Sequence, residues 1–150
     1  MDAHEIPYQD FPLVTRPAQS NDTQRWDLAP VGAVYVIRQK SSGRFLDAHE
    51  TDHNDFRLVT RCSQGDATQR WVVLPVGDGS STIRQLSNGR CVDAHENADK
   101  DFGLVTRTAQ YNDTQRWLLA NVGPNTFTLR QKSSGRFAGA PMSPPTISRS

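Results

Sequence analysis

Phe45-Leu46-Asp47-Ala48-His49-Glu50, followed downstream by Gln69-Arg70-Trp71, is the stretch that decides the fold of this chain. It returns as Cys91-Val92-Asp93-Ala94-His95-Glu96 with Gln115-Arg116-Trp117, and in shorter form as Asp2-Ala3-His4-Glu5 with Gln24-Arg25-Trp26. Asp2, Asp47 and Asp93 are 45 and 46 residues apart, as are Trp26, Trp71 and Trp117. Arg38-Gln39-Lys40, Arg84-Gln85-Leu86 and Arg130-Gln131-Lys132 keep step at 46 and 46. The repeating unit is therefore a whole folding module, and a chain of this period reads first as a repeat fold. Open solenoids need atypical end caps, and none is visible, so the copies are expected to close on one another.

Outward from the tetrapeptide, each module breaks into short β-branched and aromatic runs between Gly and Ser clusters. Val34-Tyr35-Val36-Ile37 is followed by Ser41-Ser42-Gly43 and then Arg44-Phe45-Leu46. Such runs read as strands, with Lys40 to Arg44 as a hairpin loop. A second strand pair is expected from Phe56 to Arg61 and Gln69 to Leu74, around the loop Ser63 to Thr68. No stretch offers helical spacing without an interrupting Gly, Pro or turn cluster. Four strands per copy, about twelve in all, point to a closed all-β fold.

The chain opens on the tetrapeptide and closes with Phe127 to Phe137, the strand pair that elsewhere precedes it. That pair is expected to complete the first copy, so that N- and C-terminal segments pair and no sheet edge is left open. One domain over 1–150 follows, with repeats at about 2–46, 47–92 and 93–138 and the segment 127–137 completing the first. A Pro- and Ser-rich extension occupies 139–150, where Gly139 stands in the place of the Asp.

Length and charge narrow the function classes. Modules of about 46 residues are near the lower limit for folding alone, so three of them in 150 residues are expected to share one core. The formal net charge is +1, which gives nucleic acid or an anionic membrane no basic field to follow. No apolar run is long enough to span a membrane, and the opening residues do not read as a signal peptide. Cys62 and Cys91 fall at unlike places in their copies, so they are expected to be unpaired. Free thiols without an export signal point to a cytoplasmic protein, with release by a non-classical route as the alternative.

A triplicated all-β unit of this size, each copy ending in Gln-x-Trp, resembles the ricin B-type β-trefoil lectin family. Gln24-Arg25-Trp26, Gln69-Arg70-Trp71 and Gln115-Arg116-Trp117 carry the resemblance, together with Phe45-Leu46-Asp47 and Cys91-Val92-Asp93, which look like the family's Cys-Leu-Asp opening. It covers the chain up to about Phe137. It implies a β-trefoil with pseudo-threefold symmetry, the tryptophans in the core, and up to three shallow sugar sites. The family's site Asp maps onto Asp2, Asp47 and Asp93. An ionised carboxylate offers paired acceptors to neighbouring sugar hydroxyls, which gives the assignment a chemical basis.

The chain departs from the galactose-binding pattern. Val14, Val59 and Val105 stand where an aromatic residue stacks on the sugar, and Thr23, Thr68 and Thr114 stand where Asn is usual. In their place the repeats supply His4, His49 and His95 and the pairs Asp10-Phe11, Asp55-Phe56 and Asp101-Phe102. The candidate sugar contacts are therefore Asp2, His4, Asp10, Asp47, His49, Asp55, Asp93, His95 and Asp101. An Asp after a strand also ties a turn through its own backbone, and that reading stays open beside ligand contact. The Gln of each Gln-x-Trp is expected to bond backbone, Phe11, Phe56 and Phe102 to sit in the core, and Arg16, Arg61 and Arg107 to bridge to nearby acids. The loops between the two aspartates vary, which implies sites of unequal affinity, with Tyr8 or His53 as stacking groups.

Asp-Ala-His-Glu also contains ligand types for Zn²⁺ or Ca²⁺. Alternate strand residues face opposite sides, so Asp47 and His49 share a face that Glu50 does not, and neither metal nor cofactor is expected. No nucleophile recurs beside Asp and His, which argues against catalysis. The expected function is a non-catalytic, multivalent lectin whose partners are glycans or glycoconjugates, without nucleic acid or membrane insertion, and with a homodimer left open. The alternatives are a protein-binding trefoil, such as a protease inhibitor or cytoskeletal adaptor, and a targeting module of a toxin or glycosidase.

Overall fold

The structure, a computed structural model, describes residues 11–19, 21–31, 34–51, 55–95 and 98–139. Among them are thirteen strands and no α-helix. The strands are β1 (Phe11–Pro12), β2 (Val14–Arg16), β3 (Trp26–Val31), β4 (Val34–Gln39), β5 (Phe45–Ala48), β6 (Leu58–Arg61), β7 (Trp71–Pro75), β8 (Ser81–Gln85), β9 (Cys91–Ala94), β10 (Leu104–Arg107), β11 (Trp117–Gly123), β12 (Thr126–Gln131) and β13 (Phe137–Gly139).

Six of them close a ring. β3 pairs with β4, β4 with β7, β7 with β8, β8 with β11, β11 with β12, and β12 returns to β3. Closure leaves this barrel no free edge. Three antiparallel pairs, β5–β6, β9–β10 and β13–β2, extend from it. The last joins the two ends of the fold, with Phe137 opposite Arg16, Ala138 opposite Thr15 and Gly139 opposite Val14. This is the expected completion of the first copy by the C-terminal strands, and the fold is a β-trefoil.

The tryptophans sit at the seams between modules. Trp71 pairs with Tyr35, Trp117 with Ser81 and Trp26 with Phe127. All three are 0% exposed, and each indole N–H donates to a strand carbonyl, of Ala138, Leu46 or Val92 respectively for Trp26, Trp71 and Trp117. A large aromatic buries ~150–250 Å², a gross contribution of roughly 4–6 kcal/mol at ~25 cal/mol/Å². Ile37, Ile83 and Leu129 line the barrel beside them, and Leu46, Val92 and Ala138 continue the core into the outer pairs.

The Ser-Ser-Gly hairpin is as expected. Gly43 sits at φ 73°, a left-handed conformation glycine adopts without strain, and Gln39 N–H closes the turn on the Arg44 carbonyl at 2.8 Å. The second expected strand pair is not a pair. β6 bonds β5 and β1, whereas β7 bonds β8 and β4. Between them Ala67–Gln69 forms a 3₁₀ turn, and the Gln69 side chain bonds both Gln64 N–H and the Cys62 carbonyl, which swings the chain from the outer pair back into the barrel. Gln24 and Gln115 do the same in their modules, so the glutamines of the three Gln-x-Trp motifs are backbone ties. Gln39, Gln85 and Gln131 add a tie that sequence reasoning missed. Each is buried and donates to the carbonyl of Thr23, Thr68 or Thr114, fastening a hairpin to its 3₁₀ turn. Both cysteines are free thiols, Cys91 buried and Cys62 half-buried.

Candidate functional site

The segments Asp55-Phe56-Arg57-Leu58-Val59-Thr60-Arg61 and Asp101-Phe102-Gly103-Leu104-Val105-Thr106-Arg107 meet each other and Phe11 to Arg16 at one end of the molecule. Leu13, Leu58 and Leu104 converge there, each 1% exposed. Leu13 N–H donates to the Leu58 carbonyl, Leu104 N–H to Leu13, Thr15 N–H to Phe102 and Thr106 N–H to Phe56. The backbone of one module is thereby stitched to the next, so side chains from different copies become neighbours.

Phe11, Phe56 and Phe102 are expected in the core and are instead half-buried, outside the main hydrophobic cluster. Each lies under a guanidinium: Arg44 is 4.2 Å from the Phe11 ring centre, Arg90 3.5 Å from Phe56 and Arg136 3.9 Å from Phe102. The same arginines donate to the carbonyls of Thr60, Thr106 and Thr15. A desolvated cation over a ring holds the phenyl at the joint between modules, where a purely apolar contact would have drawn it inward. Burial lowers the pKa of Arg90 and Arg136, and the neighbouring Arg107 and Arg16 push the same way.

The tetrapeptide aspartates lie beneath the surface. Asp47 is 0% and Asp93 3% exposed. In each, one carboxylate oxygen accepts the next backbone N–H at 2.7 Å, from Ala48 or Ala94, and the other accepts Gln69 or Gln115 Nε2 at 3.1 Å. Arg61 lies 3.4 Å from Asp47, and Arg107 4.0 Å from Asp93, the bridges expected of these arginines. This geometry is the turn-tying alternative, and no solvent-facing oxygen remains on Asp47. In the first module the corresponding place opposite Val14 belongs to Gly139. A Cβ there would fall 2.9 Å from Gln24 Cγ and 3.0 Å from the Thr23 carbonyl oxygen. Asp2, His4 and Asp10, with Tyr8, His53 and residues 140–150, lie outside the described residues.

Three expected contact residues do come together. Asp55, His95 and Asp101 line a groove of about 450 Å³ between the second and third modules, with Arg57, Asp99 and Lys100 around them. His95 Nε2 is 2.7 Å from Asp55 Oδ2, and its Nδ1 is 3.3 Å from Arg107 Nη2. Arginine only donates, so Nδ1 accepts and Nε2–H donates to Asp55. Asp101 is held from the first module by Arg16, at 2.8 Å, yet its side chain stays 63% exposed; that of Asp55 is 48% exposed. His49 faces Arg61 at 3.5 Å and does not line this groove. Val59 and Val105, at the family's stacking position, are buried at 1% and 0%.

The backbone under the groove is unusual. Asp55 and Phe56 have φ of 55° and 48°, Asp101 and Phe102 53° and 52°. Consecutive non-glycine residues in the left-handed region cost on the order of 1–3 kcal/mol each, and such outliers gather at functional sites. Arg57 was not singled out from the sequence. Its position is the one variable place in Asp-Phe-x-Leu-Val-Thr-Arg, filled by Pro12, Arg57 and Gly103, and variation inside a constant frame is the signal that marks it. Among the described residues no group of three or more His, Cys, Asp and Glu side chains is arranged to hold a metal ion.

None of the curated proteins matches the sequence. Among solved structures, the designed 3-fold symmetric protein ThreeFoil superposes with a TM-score of 0.70 at 18% identity, over 80% of this chain and 88% of that one. An exo-beta-1,3-galactanase from Clostridium thermocellum gives 0.56 at 21% identity, over 79% of this chain and 27% of that one. Cytolethal distending toxin from Actinobacillus actinomycetemcomitans gives 0.56 at 16%, over 79% and 97%. At these identities the likeness concerns the fold alone. The ricin-type beta-trefoil lectin domain model matches residues 2–117, and on that span the chain belongs to the ricin-type β-trefoil lectin domain family.

Proposed function

We propose that the chain is a non-catalytic lectin and that a glycan binds in the groove between the second and third modules, touching Asp55, His95 and Asp101. The observation that carries this is the pair of half-exposed or exposed carboxylates held on strained backbone, with His95 bonded to Asp55 and cationic donors at Arg57 and Lys100. Sugar hydroxyls both donate and accept, and charge-assisted bonds to carboxylates and guanidinium are the strong ones. Asp47 and Asp93 act from beneath, holding the strand ends from which His49 and His95 project.

Asp55 and His95 form a hydrogen-bonded pair, and among the described residues no serine, threonine or cysteine lines the groove beside them. By the repeat, Asp10 and His49 are the sequence counterparts of Asp55 and His95, whereas two residues beyond Gly139 the sequence has Pro141 in place of a histidine. The second–third boundary is thus the first site to test.

A glycan array probed with wild type and with the Asp55→Ala, Asp101→Ala double variant tests the reading. Asp55 is half-exposed and Asp101 exposed, so the variant is expected to stay folded, with a midpoint lowered by the lost contacts to His95 and Arg16, and to lose glycan binding on the order of tenfold or more. Unchanged binding moves the site elsewhere. No binding by a folded wild type favours a protein-binding trefoil instead.

A further inference from the structure

A second groove breaks the threefold pattern. It has a volume of about 220 Å³ and lies where Leu74 and Val76 of the second module face Tyr111 and Arg116 of the third, with Arg84 and Cys91 lining it. Three substitutions between equivalent positions build it. Leu74 stands where the other modules have Ala29 and Ala120, Cys91 where they have Phe45 and Phe137, and Tyr111 where the second has Gly65.

The Tyr111 position requires left-handed backbone: Gly65 has φ 64° and Tyr111 φ 59°. A bulky residue there is strained where glycine is not. Tyr111 is nevertheless 81% exposed, so burial does not offset the strain. Arg116 donates to the Tyr111 carbonyl and pairs with Asp113, which fixes the loop beneath the ring.

Arg84 departs from its counterparts. Arg38 and Arg130 fold back so that Nε donates to the carbonyls of Gly43 and Gly135, both at 3.2 Å. Nothing lies within 4 Å of the equivalent point at Gly89, and the buried Arg84 Nε has no hydrogen-bond partner. No carboxylate lines the groove. Two guanidiniums, of Arg84 and Arg116, line the groove beside apolar walls and an exposed tyrosine, each with an Nε that has no hydrogen-bond partner, and such a lining is complementary to one anion carried on a partly apolar ring.

We infer that this groove is a binding site for a single carboxylated pyranose, its carboxylate on Arg84 and its C–H face on Tyr111, with Leu74 and Val76 against the ring edge. Its volume is below the ~300–1,000 Å³ of pockets for drug-sized ligands, which suits one sugar ring. The anion requirement stands on the groove; the choice of a sugar as carrier rests on the lectin reading above.

Side-chain and backbone NMR titrations with methyl β-glucuronide, the methyl glycoside of N-acetylneuraminic acid, methyl β-glucoside and acetate test it. At least one of the two acid sugars is expected to shift the Arg84 Nε–H and Tyr111 ring signals. Arg84→Gln and Tyr111→Gly should each weaken that binding about tenfold, while the Asp55→Ala, Asp101→Ala variant retains it. Tyr111→Gly also relieves strain, so its loss of binding cannot stem from unfolding. The inference is overturned if neither acid sugar moves these signals, if Arg84→Gln binds like wild type, or if acetate or the glucoside binds as tightly as the acid sugar. The groove of Asp55, His95 and Asp101 is read separately, by the double variant on the array, so failure of that site is distinguishable from failure of this one.

Discussion

Strand β5 ends on Asp47-Ala48, and β13 reaches the same register at Gly139. Phe45, Leu46 and Asp47 stand opposite Arg61, Thr60 and Val59; Phe137, Ala138 and Gly139 stand opposite Arg16, Thr15 and Val14. The pairing is therefore identical with and without the carboxylate. What differs is the fastening: Gln69 donates to both Asp47 and the Cys62 carbonyl, whereas Gln24 bonds the Pro17 carbonyl and the Gln19 N–H and packs closely on Gly139. Strand register comes from the hydrophobic pattern and the Gln tie, and the Asp is an additional buried clamp on the strand end that leads to His49. Threefold sequence symmetry thus coexists with unequal strand ends.

The largest effect is expected from Asp47→Ala. Removing one partner of a buried, hydrogen-bonded ion pair costs ~3–5 kcal/mol, because the Ala48 N–H and one N–H of the Gln69 amide lose their buried acceptor and Arg61 loses its carboxylate. Urea unfolding measures it, and a loss below ~1 kcal/mol would show that this clamp is as dispensable as it is in the first module. Next comes Gly139→Asp, which restores the repeat in sequence yet places a side chain against Gln24 and the Thr23 carbonyl. Overpacking of this kind costs ~1–3 kcal/mol; a gain in stability would mean that Gln24 can swing to meet the new carboxylate.

The smallest effect concerns a contact that, among the described residues, one module boundary has. Lys132 pairs with Asp78 at 2.5 Å, and Leu86 stands at the equivalent of Lys132 in the second module. The hydrogen bond from Lys132 holds the Asp78 carboxyl well below its ordinary 3.8, and the same bond raises Lys132 above 10.5. A depressed carboxyl stabilises fully above its ordinary pKa and loses that contribution as pH falls below it. A raised lysine stabilises fully below 10.5 and loses its contribution as pH climbs through the raised value. Lys132→Met should therefore be slightly less stable than wild type between about pH 4 and pH 10, with the gap closing on both sides. Thermal melts across pH would show a flat difference if the pair contributes nothing.

The repeat period, the buried Gln-x-Trp tryptophans, the all-β class and the closure of the two ends were legible in the sequence, because each depends on local pattern or on counting. Asp55, His95 and Asp101 were legible as residue types, but the sequence alone could not join Asp55 to His95, forty residues apart and in different modules. That neighbourhood exists only because the three Leu-Val-Thr segments interlock at one end of the barrel. The second strand pair and the core placement of Phe56 were misjudged for the same reason, since strand partners and arginine stacking are settled by packing between modules. Composition and spacing determine which chain can close into a trefoil. Which carboxylates sink beneath the surface and which stay at the rim is decided by closure itself, since only then does one copy desolvate the polar groups of the next.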